Sequence, residues 1–240
     1  MILKEVKVKS ILSRSKVYEY TINPYVGCQF GCVYCYAQFM KNYTGHNEKW
    51  GDFVDVKINS AILLEREIKK KKKGVVWISG VCDPYQPVER KYGLTRRILE
   101  ILSKENWSVV VQTKSPLVLR DIDIFKKFKN IEIGFSIGTA DENIRKLFEP
   151  RTASIEKRIE ALKRLKEEGL RTYCMVAPLL PGAFDLPQKL KGSVDYVVID
   201  KMNYHYADHI YKKYGLKKDV NINLLIDLFK KEKIKTYLVK

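Results

Sequence analysis

Three of the five cysteines in this chain, Cys28, Cys32 and Cys35, lie within a stretch of eight residues. Soft thiolates packed this closely on a short loop are typical of a metal centre. A structural zinc ion is normally held by four protein ligands. A [4Fe–4S] cluster held by three cysteines instead keeps one iron open to bind another molecule. The count of three therefore favours an iron–sulfur cluster, and a structural zinc knuckle or a redox pair is the alternative.

The spacing Cys-x3-Cys-x2-Cys, with the aromatic Tyr34 just before the third cysteine, resembles the signature of the radical S-adenosylmethionine (radical SAM) superfamily. The longer run Asn-Pro-Tyr-x-Gly-Cys-x3-Cys-x-Tyr-Cys-Tyr-Ala is similar to the branch related to spore photoproduct lyase. The resemblance implies that Cys28, Cys32 and Cys35 hold a [4Fe–4S] cluster whose open iron chelates SAM. It also implies that one electron cleaves SAM to methionine and a 5′-deoxyadenosyl radical, which abstracts hydrogen from a substrate. Tyr34 is then a candidate for binding the cofactors.

The elements that would position this loop alternate between strand and helix. Apolar or alternating runs predict strands at residues 19–22, 53–57, 75–79, 109–111, 131–137, 171–176, 194–199 and 236–239. Amphipathic patterns predict helices at residues 61–72, 116–128, 154–168 and 224–231, and another that begins near Thr95. Ser60 and Thr95 are the expected N-caps of two of these helices.

Counting the strand before the cysteine loop, the chain has about six βα units, which indicates an α/β fold with parallel strands and right-handed crossovers. The pattern allows either an open doubly wound sheet or an incomplete barrel. The radical SAM resemblance implies a partial (β/α)6 barrel with the cluster at the C-terminal ends of the strands. We expect a single domain over residues 1–240, with a core of about 20–200 and a C-terminal segment of about 201–240.

Residues that follow strand ends are the next candidates, because ligands in such folds bind at the carboxyl ends of the strands. The second βα strand leads into Ser79, Gly80 and Asp83, within a string Asp-Pro-Tyr-Gln-Pro that also resembles the branch. By position these three residues are candidates to bind the amino group of SAM, since an ammonium requires carbonyls and a carboxylate. The alternative is that Pro84 and Pro87 shape a turn and Asp83 caps the following helix.

Three further strand-end residues are candidate SAM ligands. The resemblance implies that Lys114, after the third strand, pairs with the carboxylate of SAM, and a solvated loop lysine is the alternative. Ser136, at the end of the fourth strand, could bond the carboxylate or the ribose. Arg151, in the family-like string Phe-Glu-Pro-Arg-Thr, offers a planar fork to a carboxylate or ribose oxygen. It follows the wider branch rather than spore photoproduct lyase itself.

Cys82 is the candidate catalytic residue. In spore photoproduct lyase a cysteine about one position away returns a hydrogen atom to the product radical, and a thiol S–H is a good donor. The alternative is a small buried residue, which cysteine often is. Two histidines, His205 and His209, are spaced for a metal on one helix, but a polar, aromatic helical face is the preferred interpretation. The tyrosines around them could instead stack on a base.

The net charge of +17 favours a nucleic-acid partner, because phosphate neutralisation supplies most non-specific affinity. Lysine-rich helix surfaces, as in a protein from a thermophile or from an organism with an AT-rich genome, would give the same charge. No apolar run approaches the roughly 20 residues of a membrane span, and lysines interrupt the N-terminus, so we expect no membrane contact and a cytoplasmic location. An odd number of cysteines argues against a secreted disulfide framework.

The sequence therefore predicts a radical SAM enzyme, of lyase or transferase type, that uses SAM and a ferredoxin- or flavodoxin-like electron donor. Its substrate is unidentified, and a nucleic acid is one possibility. Repair of the spore photoproduct is not expected, because the chain is shorter than the lyase and its donor cysteine is not cleanly matched. One alternative is a basic nucleic-acid-binding protein whose structural metal has His46 or Cys82 as fourth ligand. The other is an electron-transfer iron–sulfur protein.

Overall fold

The computed structural model describes residues 1–239. The strands are β1 (Ile2–Val6), β2 (Leu12–Arg14), β3 (Tyr20–Ile22), β4 (Tyr25–Val26), β5 (Phe53–Lys57), β6 (Val75–Ile78), β7 (Ser108–Thr113), β8 (Ile131–Ser136), β9 (Arg171–Val176), β10 (Tyr196–Ile199) and β11 (Lys235–Leu238). The α-helices are α1 (Lys41–Thr44), α2 (Ser60–Glu67), α3 (Glu89–Tyr92), α4 (Leu94–Lys104), α5 (Ile122–Phe125), α6 (Glu142–Phe148), α7 (Ile155–Glu167), α8 (Leu186–Leu190), α9 (Asp208–Lys213) and α10 (Ile222–Lys231). Short 3₁₀ segments occupy Tyr36–Met40, Ile68–Lys70 and Pro116–Asp121.

The chain divides into two compact units. The first comprises residues 1–31, 37–113 and 117–132, and the second comprises residues 32–36, 114–116 and the described residues from 133 onwards. The first unit contains the strand order β7-β6-β3-β2, in which β3, β6 and β7 are parallel and β2 is antiparallel to β3. It also contains the sheet β1-β5-β4. The expectation of a single domain stays a prediction.

The second unit contains the strand order β8-β9-β10-β11, with β9, β10 and β11 parallel. Strands β3, β6, β7, β8, β9 and β10 are the six that the sequence predicts for the βα units. The apolar run of β7 explains why it is buried on both faces, since Val109, Val110 and Val111 are all buried. In a sheet of parallel strands, ligands bind at the carboxyl ends of the strands, among the loops that follow them.

Helix α7 follows the predicted pattern closely. The hydroxyl of Ser154 accepts a hydrogen bond from the Lys157 N–H (3.3 Å) at its start, and Gly169, with φ +78°, follows its end. Leu162 and Leu165 are fully buried on the predicted apolar face. Arg158 is also fully buried on this helix, which the apolar pattern does not predict.

The prediction that Ser60 and Thr95 cap helices is wrong, because α2 begins at Ser60 itself and α4 begins at Leu94. At the start of α4, the buried carboxylate of Glu89 accepts hydrogen bonds from the N–H groups of Thr95 (3.0 Å) and Arg96 (3.3 Å). A carboxylate from the preceding helix therefore does the work of a cap. The Thr95 hydroxyl donates elsewhere, to the Pro84 carbonyl (2.7 Å).

Two predicted helices are shorter than their sequence patterns. The helix expected at residues 61–72 is α-helical only to Glu67, and the one expected at 116–128 begins as the 3₁₀ segment Pro116–Asp121 before α5. Helix ends commonly tighten into 3₁₀ geometry, which apolar spacing alone does not show. Among residues 1–239, no helix combines the length and the apolar character needed to cross a membrane.

Candidate functional site

The first half of the cysteine loop, around Cys28, is held by the buried side chain of Gln86. Its amide nitrogen donates to the Gly27 carbonyl (3.2 Å), and its amide oxygen accepts from the Gln29 N–H (2.9 Å). Gly31 N–H also donates to the Cys28 carbonyl (3.2 Å), which closes a turn. Because Gln86 binds backbone on both sides of Cys28, it fixes the position from which that thiol projects. The string Asp-Pro-Tyr-Gln-Pro thus supports the cysteine motif directly.

Gly27 is required by the same turn. Its φ is +86°, in the left-handed region, and a Cβ placed on it would lie 2.3 Å from the carbonyl oxygen of Phe53. A side chain at this position would collide with the backbone of β5 and strain its own. Steric crowding therefore explains why a glycine precedes the first cysteine of the motif.

The second half of the loop, residues 32–35, is held by the segment that carries the string Phe-Glu-Pro-Arg-Thr. The Val33 N–H donates to the Phe148 carbonyl (3.0 Å). The Tyr34 hydroxyl donates to the carboxylate of Glu149, and both side chains are buried. One backbone bond and one side-chain bond therefore fix the residues between the second and third cysteines.

Glu149 is buried together with a charged partner, Arg158. Their side chains form an ion pair at 2.6 Å, and Arg158 also donates to the Ser136 carbonyl (2.9 Å). Burial opposes the ionised form of Glu149, but the positive charges of Arg158 and Lys114 outweigh it and hold the Glu149 pKa below its ordinary value. Burial, together with the charge of Glu149, raises the pKa of Tyr34 well above its usual range. Tyr34 is therefore a neutral donor and Glu149 an ionised acceptor.

Lys114, directly after β7, lies beside the ring of Tyr34. Its ammonium is 5.8 Å from the ring centroid, within the range of a cation–π contact. Burial raises the pKa of the Cys32 thiol to about 12, and the charge of Lys114 is the largest influence in the opposite direction. The second unit therefore brings together three residues that the sequence singles out, namely Tyr34, Lys114 and Cys32.

The predicted ammonium-binding group lies at the end of β6, in the first unit. One carboxylate oxygen of Asp83 accepts from the Thr113 hydroxyl (2.6 Å) and from the Tyr85 N–H (2.9 Å). The second of these bonds shapes a local turn, as an aspartate commonly does. The next helix, α3, begins only at Glu89, so Asp83 does not cap it. The capping part of the alternative is therefore wrong, and the role of Asp83 in binding SAM stays a prediction.

Ser79 and Gly80 are adjacent to this carboxylate in sequence. The Ser79 hydroxyl donates to the side-chain oxygen of Asn23 (2.8 Å), and the same oxygen accepts from the Val81 N–H (2.9 Å). Gly80 is packed near the ring of Trp77, which would lie 3.3 Å from an added Cβ. Asn23, which opens the motif run, thus ties the end of β6 to the strand that leads into the cysteine loop.

Cys82 lies in the same segment and is half-buried. Its sulfur is 2.9 Å from the Ser79 hydroxyl, and it packs against a buried apolar cluster that includes Tyr25. Burial raises the pKa of the thiol to about 12, so it carries its hydrogen at neutral pH. Both the donor and the small-buried-residue interpretations of Cys82 are compatible with this environment.

A buried ionic network beneath the Asp-Pro-Tyr-Gln-Pro string is absent from the sequence-based prediction. The Tyr85 hydroxyl donates to Asp121 (3.0 Å), and the Tyr25 hydroxyl donates to Glu89. Arg120 pairs with both carboxylates, with Glu89 at 2.8 Å and with Asp121 at 2.7 Å. Glu89 and Asp121 are fully buried. A polar residue inside a family-like string is the sequence signal that could have found Gln86, whereas Glu89 lies two residues beyond that string.

The remaining candidate residues differ in their burial. Arg151 is exposed, whereas Arg145 and Arg158, on either side of it in the sequence, are buried. Ser136 is buried at the end of β8, with its hydroxyl 3.4 Å from the Ala177 carbonyl. Cys174, which is not a candidate ligand, is fully buried within β9. None of these contacts tests the predicted roles of Arg151 and Ser136 in binding SAM.

The histidines have local partners. His46 hydrogen-bonds the carboxylates of Glu48 (3.0 Å) and Asp55 (3.0 Å) through its two ring nitrogens, which makes it a poor fourth metal ligand. His205 precedes α9 and bonds Asp208 (2.9 Å), while His209 lies within the helix. The two therefore do not form one helical pair.

The cysteines fit an iron–sulfur cluster by donor chemistry. All five cysteines are free of disulfides, and Cys28 and Cys32 are buried while Cys35 is half-buried. Among residues 1–239, no three His, Cys, Asp or Glu side chains are already assembled for a metal ion. Thiols that a loop holds in place can close around a cluster when it binds, because ligand binding and local folding are coupled. The identity of the three ligands stays a prediction.

Known proteins are similar to this chain in sequence and in fold. The model of the radical SAM superfamily matches residues 22–186. An uncharacterized protein of Methanocaldococcus jannaschii is 41% identical over 184 residues, which are 76% of this chain and 69% of that protein. Spore photoproduct lyase of Clostridium acetobutylicum is 27% identical over 158 residues, which are 64% of this chain and 44% of the lyase. This chain therefore spans less than half of that lyase.

A solved structure shares the fold at low sequence identity. It is a mutant of spore photoproduct lyase with bound AdoMet and dinucleoside spore photoproduct, and it matches with a TM-score of 0.72 and 16% identity. The match covers 99% of this chain and 81% of the lyase chain. The predicted fold class, α/β of the radical SAM type, is confirmed, and the family supports radical SAM chemistry by an enzyme. The chain belongs to the radical SAM superfamily, in the branch related to spore photoproduct lyase.

Proposed function

We propose that this chain is a radical SAM enzyme in which Cys28, Cys32 and Cys35 hold a [4Fe–4S] cluster and SAM is cleaved reductively. The observation that carries the proposal is that each half of the cysteine loop is fixed by a separate family-like string. Gln86 binds the backbone on both sides of Cys28, and Glu149 binds the tyrosine between the other two cysteines. Each of these contacts restrains the backbone beside a cysteine of the motif. All of these residues lie within the matched range 22–186.

When bound and reduced, such a cluster supplies the electron that splits SAM into methionine and a 5′-deoxyadenosyl radical. The residues of this chain bind and orient SAM. Asp83, held by two hydrogen bonds, offers a carboxylate to the ammonium of SAM, with Ser79 and Gly80 beside it in sequence. Lys114 offers a positive charge to the carboxylate of SAM.

Ser136, Arg151 and Tyr34 complete the proposed cofactor site. Ser136 and Arg151 are proposed to bond the carboxylate or the ribose of SAM. Tyr34, whose hydroxyl is occupied by Glu149, contributes its ring rather than a proton donor. A ferredoxin- or flavodoxin-like protein is the proposed source of the electron.

Cys82 is proposed to return a hydrogen atom to the product radical. Its high pKa keeps the S–H bond intact at neutral pH, as a hydrogen-atom donor requires. Transfer of that atom forms a C–H bond on the product and leaves a thiyl radical on Cys82, which one electron from the proposed donor protein and one proton from solvent would convert back to the thiol. Replacement of Cys82 by alanine should therefore leave SAM cleavage intact and impair release of a reduced product.

The substrate is proposed to be a nucleic acid. The net charge of +17 favours a polyanion, and a related solved structure holds a dinucleoside photoproduct. A peptide is the second candidate, because another structure of this fold, SuiB, is bound to the precursor peptide SuiA with a TM-score of 0.64. The basic charge favours the first.

Anaerobic reconstitution tests the proposal. Protein supplied with iron and sulfide, reduced with dithionite and mixed with SAM should release 5′-deoxyadenosine. Cys28→Ala, Cys32→Ala and Cys35→Ala should each abolish this product and most of the bound iron. Cys174→Ala is the matched control, because Cys174 is buried within a strand and outside the loop. A protein that binds zinc under these conditions, or a Cys174→Ala variant that loses iron as completely as Cys32→Ala, would contradict the proposal.

A further inference from the structure

Three tyrosines form a stacked row in the second unit, and the proposed binding of SAM does not use them. The rings of Tyr36 and Tyr204 have centroids 5.9 Å apart and planes 20° apart. Those of Tyr204 and Tyr206 are 6.2 Å and 25° apart. Tyr36, Tyr204 and Tyr206 are 37%, 46% and 44% exposed, so the row faces solvent. A contiguous patch of exposed aromatic rings is a candidate binding surface, unlike single exposed hydrophobic residues scattered over a surface.

The segment that carries two of these rings is held in place by local hydrogen bonds. Asn203 donates to both carboxylate oxygens of Asp200 (3.0 Å each), and the Asp200 N–H donates to the Val176 carbonyl (3.0 Å). His205, between the two tyrosines, bonds Asp208 (2.9 Å). The row is therefore arranged before any ligand arrives, which lowers the entropy lost on binding.

The row also begins next to the proposed reaction centre. Tyr36 directly follows Cys35 in the sequence, and the segment with Tyr204 and Tyr206 follows the carboxyl end of β10. Ligands of α/β folds bind at the carboxyl ends of parallel strands. A substrate lying along the row would thus have one part beside the third cysteine.

The charge of the surrounding segment is complementary to a polyanion. Residues 200–219 contain five lysines (Lys201, Lys212, Lys213, Lys217 and Lys218) and three aspartates (Asp200, Asp208 and Asp219), and Lys218 pairs with Asp208 at 2.7 Å. Four of the five lysines are exposed. Flat aromatic faces with lysines nearby match a single-stranded nucleic acid, whose bases stack on such rings and whose phosphates bind cations.

We propose that Tyr36, Tyr204 and Tyr206 form a stacking platform for unpaired bases of a single-stranded nucleic acid substrate. This inference rests on the proposed function and names the substrate class of its site. The bases stack on the tyrosine row, and the lysines of residues 201–218 contact the phosphates. A base beyond the Tyr36 end of the row is the one presented to the radical.

The test measures binding by reconstituted protein, with SAM, of single-stranded 12-nucleotide DNA and RNA probes that contain 2-aminopurine. Tyr204→Leu and Tyr206→Leu should each weaken binding about tenfold or more, because stacking of one base is worth about 1–3 kcal/mol. Tyr204→Phe and Tyr206→Phe keep the ring and should bind within about twofold of the parent. Stacking should quench 2-aminopurine with the parent and the phenylalanine variants but not with the leucine variants. Tyr214→Leu is the matched control, since Tyr214 is 47% exposed in the same unit but outside the row.

Each outcome decides the inference. Loss of affinity in the two row variants, with retention in the phenylalanine variants and in Tyr214→Leu, supports the platform, and a stronger effect on one probe identifies DNA or RNA. Unchanged binding by the leucine variants, equal loss in Tyr214→Leu, or binding of an acidic peptide in place of both oligonucleotides overturns it. Release of 5′-deoxyadenosine is measured on the same samples. If it occurs without oligonucleotide binding, the proposed function stands and the platform fails; if it does not occur, the proposed function fails while binding still reports on the row.

Discussion

The hydroxyl of Tyr34 donates a hydrogen bond to the carboxylate of Glu149, which lies 115 residues further along the chain. Both side chains are buried, and Arg158 neutralises the carboxylate from a neighbouring position. The bond joins the residue between the second and third cysteines to the string Phe-Glu-Pro-Arg-Thr. That string therefore supports the cysteine loop through its glutamate.

Loss of this carboxylate should destabilise the fold strongly. Glu149→Gln leaves the buried guanidinium of Arg158 without its counter-ion, and breaking a buried pair in this way costs about 3–5 kcal/mol. Anaerobic urea unfolding measures the change. The control is Asp227→Asn, because Asp227 pairs with Lys230 (3.3 Å) on an exposed helix surface where such a pair contributes less than about 1 kcal/mol. Similar losses of unfolding free energy for the two variants would show that the Glu149–Arg158 pair contributes no more than a surface pair.

The same ion pair predicts how stability depends on pH. Because the folded protein holds the Glu149 pKa below its ordinary value, the stability that this group contributes is present above its unfolded pKa of about 4.3. It is lost as the pH falls through the lower folded pKa. The difference in melting temperature between the parent and Glu149→Gln should thus be constant from about pH 8 to pH 6 and shrink below about pH 4. A difference that grows in acid would have the wrong sign.

Local sequence patterns predict the elements well and their side-chain partners poorly. Strand β9 coincides with the predicted residues 171–176, because an apolar run between polar segments is visible within a short window. Burial of Arg158 is not visible in this way, since its partner Glu149 lies outside α7 and the apolar pattern assigns an arginine to the surface. Glu89, which caps α4 from outside that helix, escapes prediction for the same reason.

The candidate site shows the same limit. The cysteine spacing identifies the loop, but the sequence cannot show that Gln86 binds the backbone around Cys28 from 57 residues away. Arg151 is singled out because it lies in a family-like string, while the buried arginines of this region are Arg145 and Arg158. Side chains that converge from distant segments are positioned by tertiary packing. The distances between such segments in space cannot be inferred from a single sequence.

Gln86 should be needed for the cysteine loop to retain iron. Gln86→Met keeps a similar volume but removes both hydrogen bonds, which leaves the Gln29 N–H and the Gly27 carbonyl unsatisfied. Each buried unsatisfied group costs about 1–3 kcal/mol. We expect a lower melting temperature and less iron per chain after reconstitution. The control Gln188→Met changes an exposed glutamine of α8 and should leave iron content unchanged, and equal iron retention by both variants would remove Gln86 from the support of the loop.

Gly27 and Gly45 provide a matched pair for testing how tightly the turn before Cys28 is packed. Both have positive φ, +86° and +69°, so an alanine at either position takes a strained backbone conformation that costs about 1–2 kcal/mol. They differ in their surroundings, because an added Cβ lies 2.3 Å from the Phe53 carbonyl at Gly27 and meets nothing within 4 Å at Gly45. Gly27→Ala must also displace the backbone of β5 or of the turn.

We therefore expect Gly45→Ala to lower the free energy of unfolding by about 1–2 kcal/mol and Gly27→Ala to lower it by roughly 1–3 kcal/mol more. Because the turn also sets the position of Cys28, Gly27→Ala should lose iron on reconstitution while Gly45→Ala retains it. Urea unfolding and iron analysis of the two variants check both parts. Equal destabilisation would show that the backbone of β5 shifts at Phe53 at little energetic cost. Retained iron in a destabilised Gly27→Ala would separate the packing of the turn from ligation by Cys28.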